Sequence, residues 1–203
     1  MKLYLSSFRL GDHPERLTAM LPAAARVGVI CNAMDFVKPT TRRAKVDEEL
    51  ARITDLGLRP EELDLRDDDA LDRLPSYDGL WVRGGNVFVL RIAMARSGVD
   101  AVLPDLIRSE RFVYAGYSAG GCVLAPSLRG VEYCDPVDGL DDVIWDGLGV
   151  LDHAIVPHLD SPGHPETELL AVVAERYDRS GVPYVGLRDG QALVIDGERR
   201  ELV

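Results

Sequence analysis

The stretch FVYAGYSAGGCVLAP, residues 112–126, contains two apolar segments separated by a run of mostly small residues. It begins with a short apolar run, continues with mostly small residues from Gly116 to Gly121, and then becomes apolar again. This order predicts a strand, a tight turn and a helix, because small residues let the chain turn sharply between two buried elements. The turn matches the G-x-S-x-G pattern of a nucleophile elbow, which would expose the Ser118 hydroxyl and offer the Ala119 N–H to a developing oxyanion.

A second junction of the same kind lies upstream, in WVRGGN at residues 81–86. An apolar run ends there, two glycines follow, and a segment with helical periodicity begins at Val87. In open α/β sheets, such junctions lie at the carboxyl ends of parallel strands, where ligand crevices form. The two junctions therefore predict one site built from both.

Short apolar runs alternate with helical segments along the whole chain, which is typical of a parallel sheet covered by helices. The predicted strands are residues 2–6, 26–31, 62–64, 79–82, 112–116, 154–156, 184–187 and 191–196. The predicted helices are residues 14–21, 41–56, 68–74, 87–97, 100–109, 120–124 and 166–180. The sequence thus predicts an α/β fold with a mostly parallel central sheet flanked by helices, in a single domain covering residues 1–203.

Composition excludes several classes of function. The chain has 34 acidic and 23 basic residues and a net charge of -11, which argues against nucleic acid as a partner. The amino terminus turns polar after five residues, and no apolar run approaches a membrane span, so we predict a cytoplasmic protein without a membrane partner. Its three cysteines match no zinc or redox spacing, and we predict buried free thiols, no metal and no cofactor.

A serine nucleophile needs a base, and histidine is the usual one because its pKa lies near neutrality. Of the four histidines, His158 directly follows the apolar run AIVP, which places it where a strand ends, at the edge predicted for Ser118. The base in turn needs an acid to fix its tautomer. Two candidates stay open: Asp189, in a turn between two late strands, and Asp135, in the irregular segment 129–151.

Five ordered landmarks resemble the S51 serine peptidases: RGGNVF at 83–88, GYSAGG at 116–121, PHL at 157–159, GHPET at 163–167 and GLRDG at 186–190. The resemblance implies a flavodoxin-like three-layer sandwich similar to the class I glutamine amidotransferases. It implies Ser118 as the nucleophile, His158 as the base and Asp189 as the acid, where the family usually has glutamate. Asp135 matches a further aspartate near the site, Gly85 and Ala119 would supply the oxyanion hole, and Asn86 would fix the glycine turn.

The resemblance also implies hydrolysis of short peptides by a dipeptidase or aminopeptidase. Aspartyl dipeptidases of this family carry an arginine in the segment where this chain has Glu168, so we expect no strict requirement for aspartate in the substrate. Asn86, Glu166 and Glu168 are the predicted substrate-binding residues, and acidic groups such as Asp135, Glu166 and Glu168 would hold a free α-ammonium group. A serine esterase or amidase, or a binding module without catalysis, stays open, as does a homodimer.

Overall fold

Seven strands form the central sheet of the computed structural model, which describes residues 1–203. Their bounds are β1 Lys2–Ser6, β2 Arg26–Ile30, β3 Arg59–Glu62, β4 Gly79–Val82, β5 Val113–Tyr117, β8 Ala192–Asp196 and β9 Arg199–Leu202. Their order across the sheet is β3-β2-β4-β5-β1-β8-β9. The first five strands in this order are mutually parallel, and β8 and β9 add an antiparallel edge. The fold is α/β, as predicted.

Two further strands, β6 (Ala154–Val156) and β7 (Tyr184–Gly186), pair with each other in parallel and form a separate sheet. The sequence placed both in the central sheet, and that prediction was wrong. The helices are α1 Glu15–Thr18, α2 Pro39–Thr54, α3 Ala70–Arg73, α4 Val87–Ser97, α5 Val99–Arg108, α6 Ala119–Cys122 and α7 Thr167–Ser180. None of them has both the length and the apolar character needed to cross a membrane.

Side chains of the central strands alternate between two cores, because successive residues of a strand point to opposite faces. On one face, Leu80 and Val82 of β4 pack in a cluster with residues of α4 and α5. On the other face, Trp81 packs in a cluster with residues of α2. Helix α7 covers the small sheet instead, through a third cluster that includes Val156 and Val173. The central sheet is therefore the middle layer of a three-layer sandwich.

Several predicted boundaries needed correction. The strand predicted at residues 62–64 is β3, which starts and ends earlier, because Leu63 is buried just after the ladder rather than within it. Strand β9 was missed because its sequence, RREL, is mostly polar, as befits an exposed edge. Helices α1, α3 and α6 are each a single turn and shorter than predicted, whereas α2 begins at Pro39, a residue favoured in the first helical turn.

Candidate active site

Ser118 directly follows β5 and precedes α6, so the strand, turn and helix predicted there are present. Its backbone has φ 50° and ψ -116°, a conformation that costs a non-glycine residue roughly 1–3 kcal/mol. Gly120 allows this tight turn, because a Cβ there would overlap the carbonyl oxygen of Val82 in the neighbouring strand. The strained turn holds the serine at the carboxyl end of the sheet.

The glycine junction after β4 lies beside this turn. Gly85 has φ +150°, and a Cβ at this position would overlap the carbonyl oxygen of Ala33. Its N–H donates to no backbone acceptor of the chain. Asn86 caps α4, since its Oδ1 accepts from the N–H groups of Phe88 and Val89 at 2.9 and 3.0 Å. Its Nδ2 donates to the carbonyl of Pro136 at 2.8 Å, so this amide shapes the wall of the site.

His158 follows β6 after one proline and is held by Asp189. The two atoms His158 Nδ1 and Asp189 Oδ1 lie 2.6 Å apart, and the imidazole is buried. Burial lowers the pKa of His158 below its ordinary value, while the hydrogen bond to Asp189 acts in the opposite direction. Of the two acids left open by the sequence, Asp189 is the one that contacts the histidine.

Asp135 has a different partner. Its Oδ2 accepts from the backbone N–H of Val87, the first residue of α4, at 2.7 Å. Burial raises the pKa of Asp135 to about 7, although the bond from Val87 favours the charged form, and Glu166 adds to the upward shift. This carboxyl group therefore joins the irregular segment to the glycine junction and changes charge near neutral pH.

Three hydroxyl groups that the sequence analysis did not predict bind His158 and Asp189. The Ser7 hydroxyl donates to Asp189 Oδ1 at 2.8 Å and accepts from the His158 N–H at 2.8 Å. The Thr167 hydroxyl donates to the His158 carbonyl at 2.7 Å, and Ser161 Oγ accepts from the Asp189 N–H at 2.8 Å. The position of Ser7 could have been recognised from the sequence, because Ser7 directly follows a central strand at the edge of the sheet where the site forms.

The imidazole of His164 stacks on that of His158, with ring centroids 3.6 Å apart and planes inclined by 5°. The Phe8 ring makes T-shaped contacts with both imidazoles, with ring centroids 5.9 Å from His158 and 5.6 Å from His164. Ligand atoms of His158, His164 and Glu166 all lie within 4.8 Å of one another, which is close enough for a metal ion. Because the stacked rings are parallel, however, their in-plane lone pairs do not converge on one point, and binding an ion would require ring rotation.

A cavity of about 450 Å³ brings these elements together. Ser118, His158, Gly85, Asn86, Asp135 and Glu166 all line it. Asp189, Ala119 and Glu168 are not among the lining residues, and Glu168 is exposed on the first turn of α7. No hydrogen bond joins Ser118 to His158; in catalytic sites this bond often forms only when substrate binds.

The lining of the cavity also includes a buried carboxylate. Glu49, which is 2% exposed, accepts from Trp81 Nε1 and from the Tyr117 hydroxyl, both at 2.9 Å. Arg52 lies 3.0 Å and Arg83 3.4 Å from the same carboxylate, so these two basic residues of the lining are paired with an acid. Three more acidic residues line the cavity, and we call them its acidic side: Asp135, Asp138 and Glu166.

Comparison with known proteins decides the family. The model of peptidase family S51 matches residues 15–203. The chain belongs to peptidase family S51. It is 31% identical over 196 residues to peptidase E of Streptomyces coelicolor, covering 93% of this chain and 75% of that protein. It is also 27% identical over 161 residues to an uncharacterized peptidase of Pasteurella multocida, covering 76% of this chain and 75% of that one.

Solved structures share the fold of this S51 chain. A crystal structure from Listeria monocytogenes EGD-e that carries the name peptidase E superposes with a TM-score of 0.84 at 22% identity, covering 100% of this chain and 97% of that one. A peptidase from an acI-B1 actinobacterium superposes with a TM-score of 0.68 at 14% identity, covering 100% and 86%. The predicted resemblance is thus confirmed, and the chain is a serine peptidase of the peptidase E type whose substrates are peptides.

Proposed function

We propose that this S51 peptidase is an exopeptidase that cleaves short peptides through an acyl-enzyme formed on Ser118. The observation that carries the proposal is the 2.6 Å bond between His158 Nδ1 and Asp189 Oδ1, beside a cavity that both His158 and the strained Ser118 line. The bond fixes the proton on Nδ1, so Nε2 is left free to accept the serine proton.

In the proposed reaction, Ser118 Oγ attacks the carbonyl carbon of the scissile bond while its proton moves to His158 Nε2. The N–H groups of Gly85 and Ala119 hold the oxyanion; Ala119 is the first residue of its helix, so its N–H has no partner within that helix. The C–N bond then breaks, and His158 gives its proton to the leaving amine. Water, deprotonated by His158, hydrolyses the ester and restores Ser118.

The acidic side of the cavity suits a substrate with a free amino terminus. Glu166 lines the cavity, is half-buried and keeps a carboxylate near His158, so it is our candidate for binding the α-ammonium group. Asp138 lines the same side. Asp135 and Asn86 accept hydrogen bonds from backbone N–H groups at the start of α4, and Asn86 also donates to the Pro136 carbonyl. In this proposal they therefore shape the cavity wall rather than bind substrate directly.

Glu168 is left out of the proposed site. We expected its carboxylate to repel an acidic substrate side chain, but it is exposed and does not line the cavity. The expectation of a relaxed specificity therefore loses this basis, and the choice of substrate side chain is a matter for experiment. Arg52 and Arg83 line the same cavity, and both are paired with Glu49.

The test is a panel of dipeptides with varied first residues, assayed beside their N-acetylated forms and matched esters. We expect hydrolysis of dipeptides with a free amino group and loss of most activity on acetylation, because acetylation removes the positive charge. Glu166→Gln should raise KM for the free dipeptides, and Glu168→Gln is the matched control that should not. Equal hydrolysis of free and acetylated peptides would contradict the exopeptidase proposal.

A fluorophosphonate probe separates this proposal from the alternatives. A serine activated by His158 reacts with the probe, and the mass of the intact protein rises by one adduct; a binding module without catalysis does not react. If the adduct forms and esters are cleaved but no dipeptide is hydrolysed, the acyl-enzyme mechanism on Ser118 is supported and the proposed peptide specificity is wrong.

A further inference from the structure

The Ser7 hydroxyl bridges the two residues proposed to form the base of the reaction. It is fully buried, and its shortest acceptor is Asp189 Oδ1 at 2.8 Å, compared with 3.3 Å to the Leu187 carbonyl. A hydroxyl has one proton to donate, so the charged and nearer oxygen of Asp189 receives it. The same oxygen of Asp189 also accepts from His158 Nδ1.

Ser7 holds the backbone of His158 as well, because its Oγ accepts the His158 N–H at 2.8 Å. His158 has φ 55°, a left-handed conformation that a histidine adopts only when its surroundings hold it there. On the other side, Thr167 donates to the His158 carbonyl. Both backbone polar groups of the strained residue are therefore bound, and one of the two partners also touches the aspartate.

The sheet explains why position 7 reaches this point. Strand β1 is the parallel neighbour of β5, and Ser6 is in register with Tyr117. Ser7 therefore follows β1 at the level where Ser118 follows β5. Its side chain does not line the cavity, so Ser7 cannot touch substrate there.

From this geometry we infer that Ser7 is a positioning residue, which orients Asp189 and His158 and disperses part of the negative charge on Asp189. The inference rests on the proposed roles of Ser118, His158 and Asp189. Ser7 is the second donor to Asp189 Oδ1 beside His158 Nδ1, and together the two donors fix where this carboxylate lies.

Replacing Ser7 by alanine tests this. We expect kcat to fall by roughly tenfold to hundredfold, the range for loss of a hydrogen bond to a charged group, with KM unchanged within twofold. Without the donor, the full charge of Asp189 acts on the imidazolium, so the pKa of His158 rises. The acid limb of the kcat/KM profile should move to higher pH by about half a unit.

Ser7→Ala leaves the His158 N–H unpaired and lowers stability whether Ser7 has a positioning role or only a structural one. The shift of the acid limb is expected only for a positioning role, so the pH profile distinguishes the two. Ser7→Thr keeps the donor and should restore kcat and the limb. Ser7→Cys is similar in size but a weak donor, so it should behave like alanine. Ser6→Ala is the matched control: this neighbouring buried hydroxyl has the Arg9 carbonyl as its nearest acceptor and bonds to neither His158 nor Asp189.

NMR titration of the His158 ring measures the change in the pKa of His158 caused by Ser7→Ala without any substrate. Should the wild-type protein cleave no peptide, the proposed function fails, and the titration alone decides the inference. A Ser7→Ala protein that unfolds at lower temperature but keeps the wild-type kcat and the wild-type His158 titration would overturn it. So would a loss of kcat with an unmoved titration that Ser7→Thr does not restore.

Discussion

Replacing Asp189 by asparagine removes the charge that faces His158 while keeping the shape of the side chain. The bond of 2.6 Å places the centres of the carboxylate and the imidazolium about 4 Å apart, where opposite charges attract by about 4 kcal/mol at an effective dielectric constant of about 20. This energy corresponds to roughly a thousandfold in rate. Because Asp189 is 28% exposed, solvent screens part of it, and we expect kcat to fall by roughly a hundredfold to a thousandfold.

The pH profile gives the sign of the effect. Burial lowers the pKa of His158, and the Asp189 carboxylate raises it. Without the carboxylate, the pKa of His158 falls further, and the acid limb of kcat/KM moves to lower pH. Asp160→Asn is the matched control, because Asp160 is exposed, lies two residues after His158 and pairs only with Arg188 at 3.6 Å. Steady-state kinetics on one dipeptide from pH 5 to 9 measures both. An Asp189→Asn enzyme within threefold of wild type, with an unmoved acid limb, would show that the charge of Asp189 does not act on His158.

Three further predictions concern the walls of the site. Asp135 has its pKa raised to about 7 in the folded protein, so the folded state binds this proton more tightly and stability falls as pH rises from about 4 to 7. Denaturant unfolding should show that Asp135→Asn lacks this fall, which amounts to roughly 4 kcal/mol at most. Gly85→Ala should lower kcat by roughly a hundredfold, because the added Cβ meets the Ala33 carbonyl and displaces the N–H that we propose binds the oxyanion; an unchanged kcat would show that Gly85 does not have this role. Glu49→Ala should cost about 3–5 kcal/mol of stability by thermal unfolding, because it leaves the buried Trp81 Nε1–H and Tyr117 hydroxyl without their acceptor and Arg83 without its ion pair.

Local sequence patterns predicted the parts of the site that sit on central strands. The small residues around Ser118 and Gly85 determine sharp turns, and such turns between apolar runs can be recognised without knowing the rest of the fold. The carboxyl ends of parallel strands share one edge of the sheet, so placing both junctions at one site needed no further information.

Contacts between distant segments could not be predicted in the same way. The bond from Ser7 to Asp189 spans 182 positions and depends on β8 pairing with β1, which no local pattern specifies. The small sheet of β6 and β7 was assigned to the central sheet because three apolar residues look the same in either one. His158 reaches the cavity nevertheless, because the turn after β6 is anchored by Ser7 and Thr167.

In the proposed reaction, Ser118 and His158 act as one unit across the cavity. A double-mutant cycle of kcat/KM tests this with Ser118→Ala, His158→Gln and the double variant, on one dipeptide. Each single change should remove several orders of magnitude, and the double variant should be no slower than Ser118→Ala alone, because either change disables the same step. Losses that multiply in the double variant, or a Ser118→Ala enzyme as fast as wild type, would rule out this shared step.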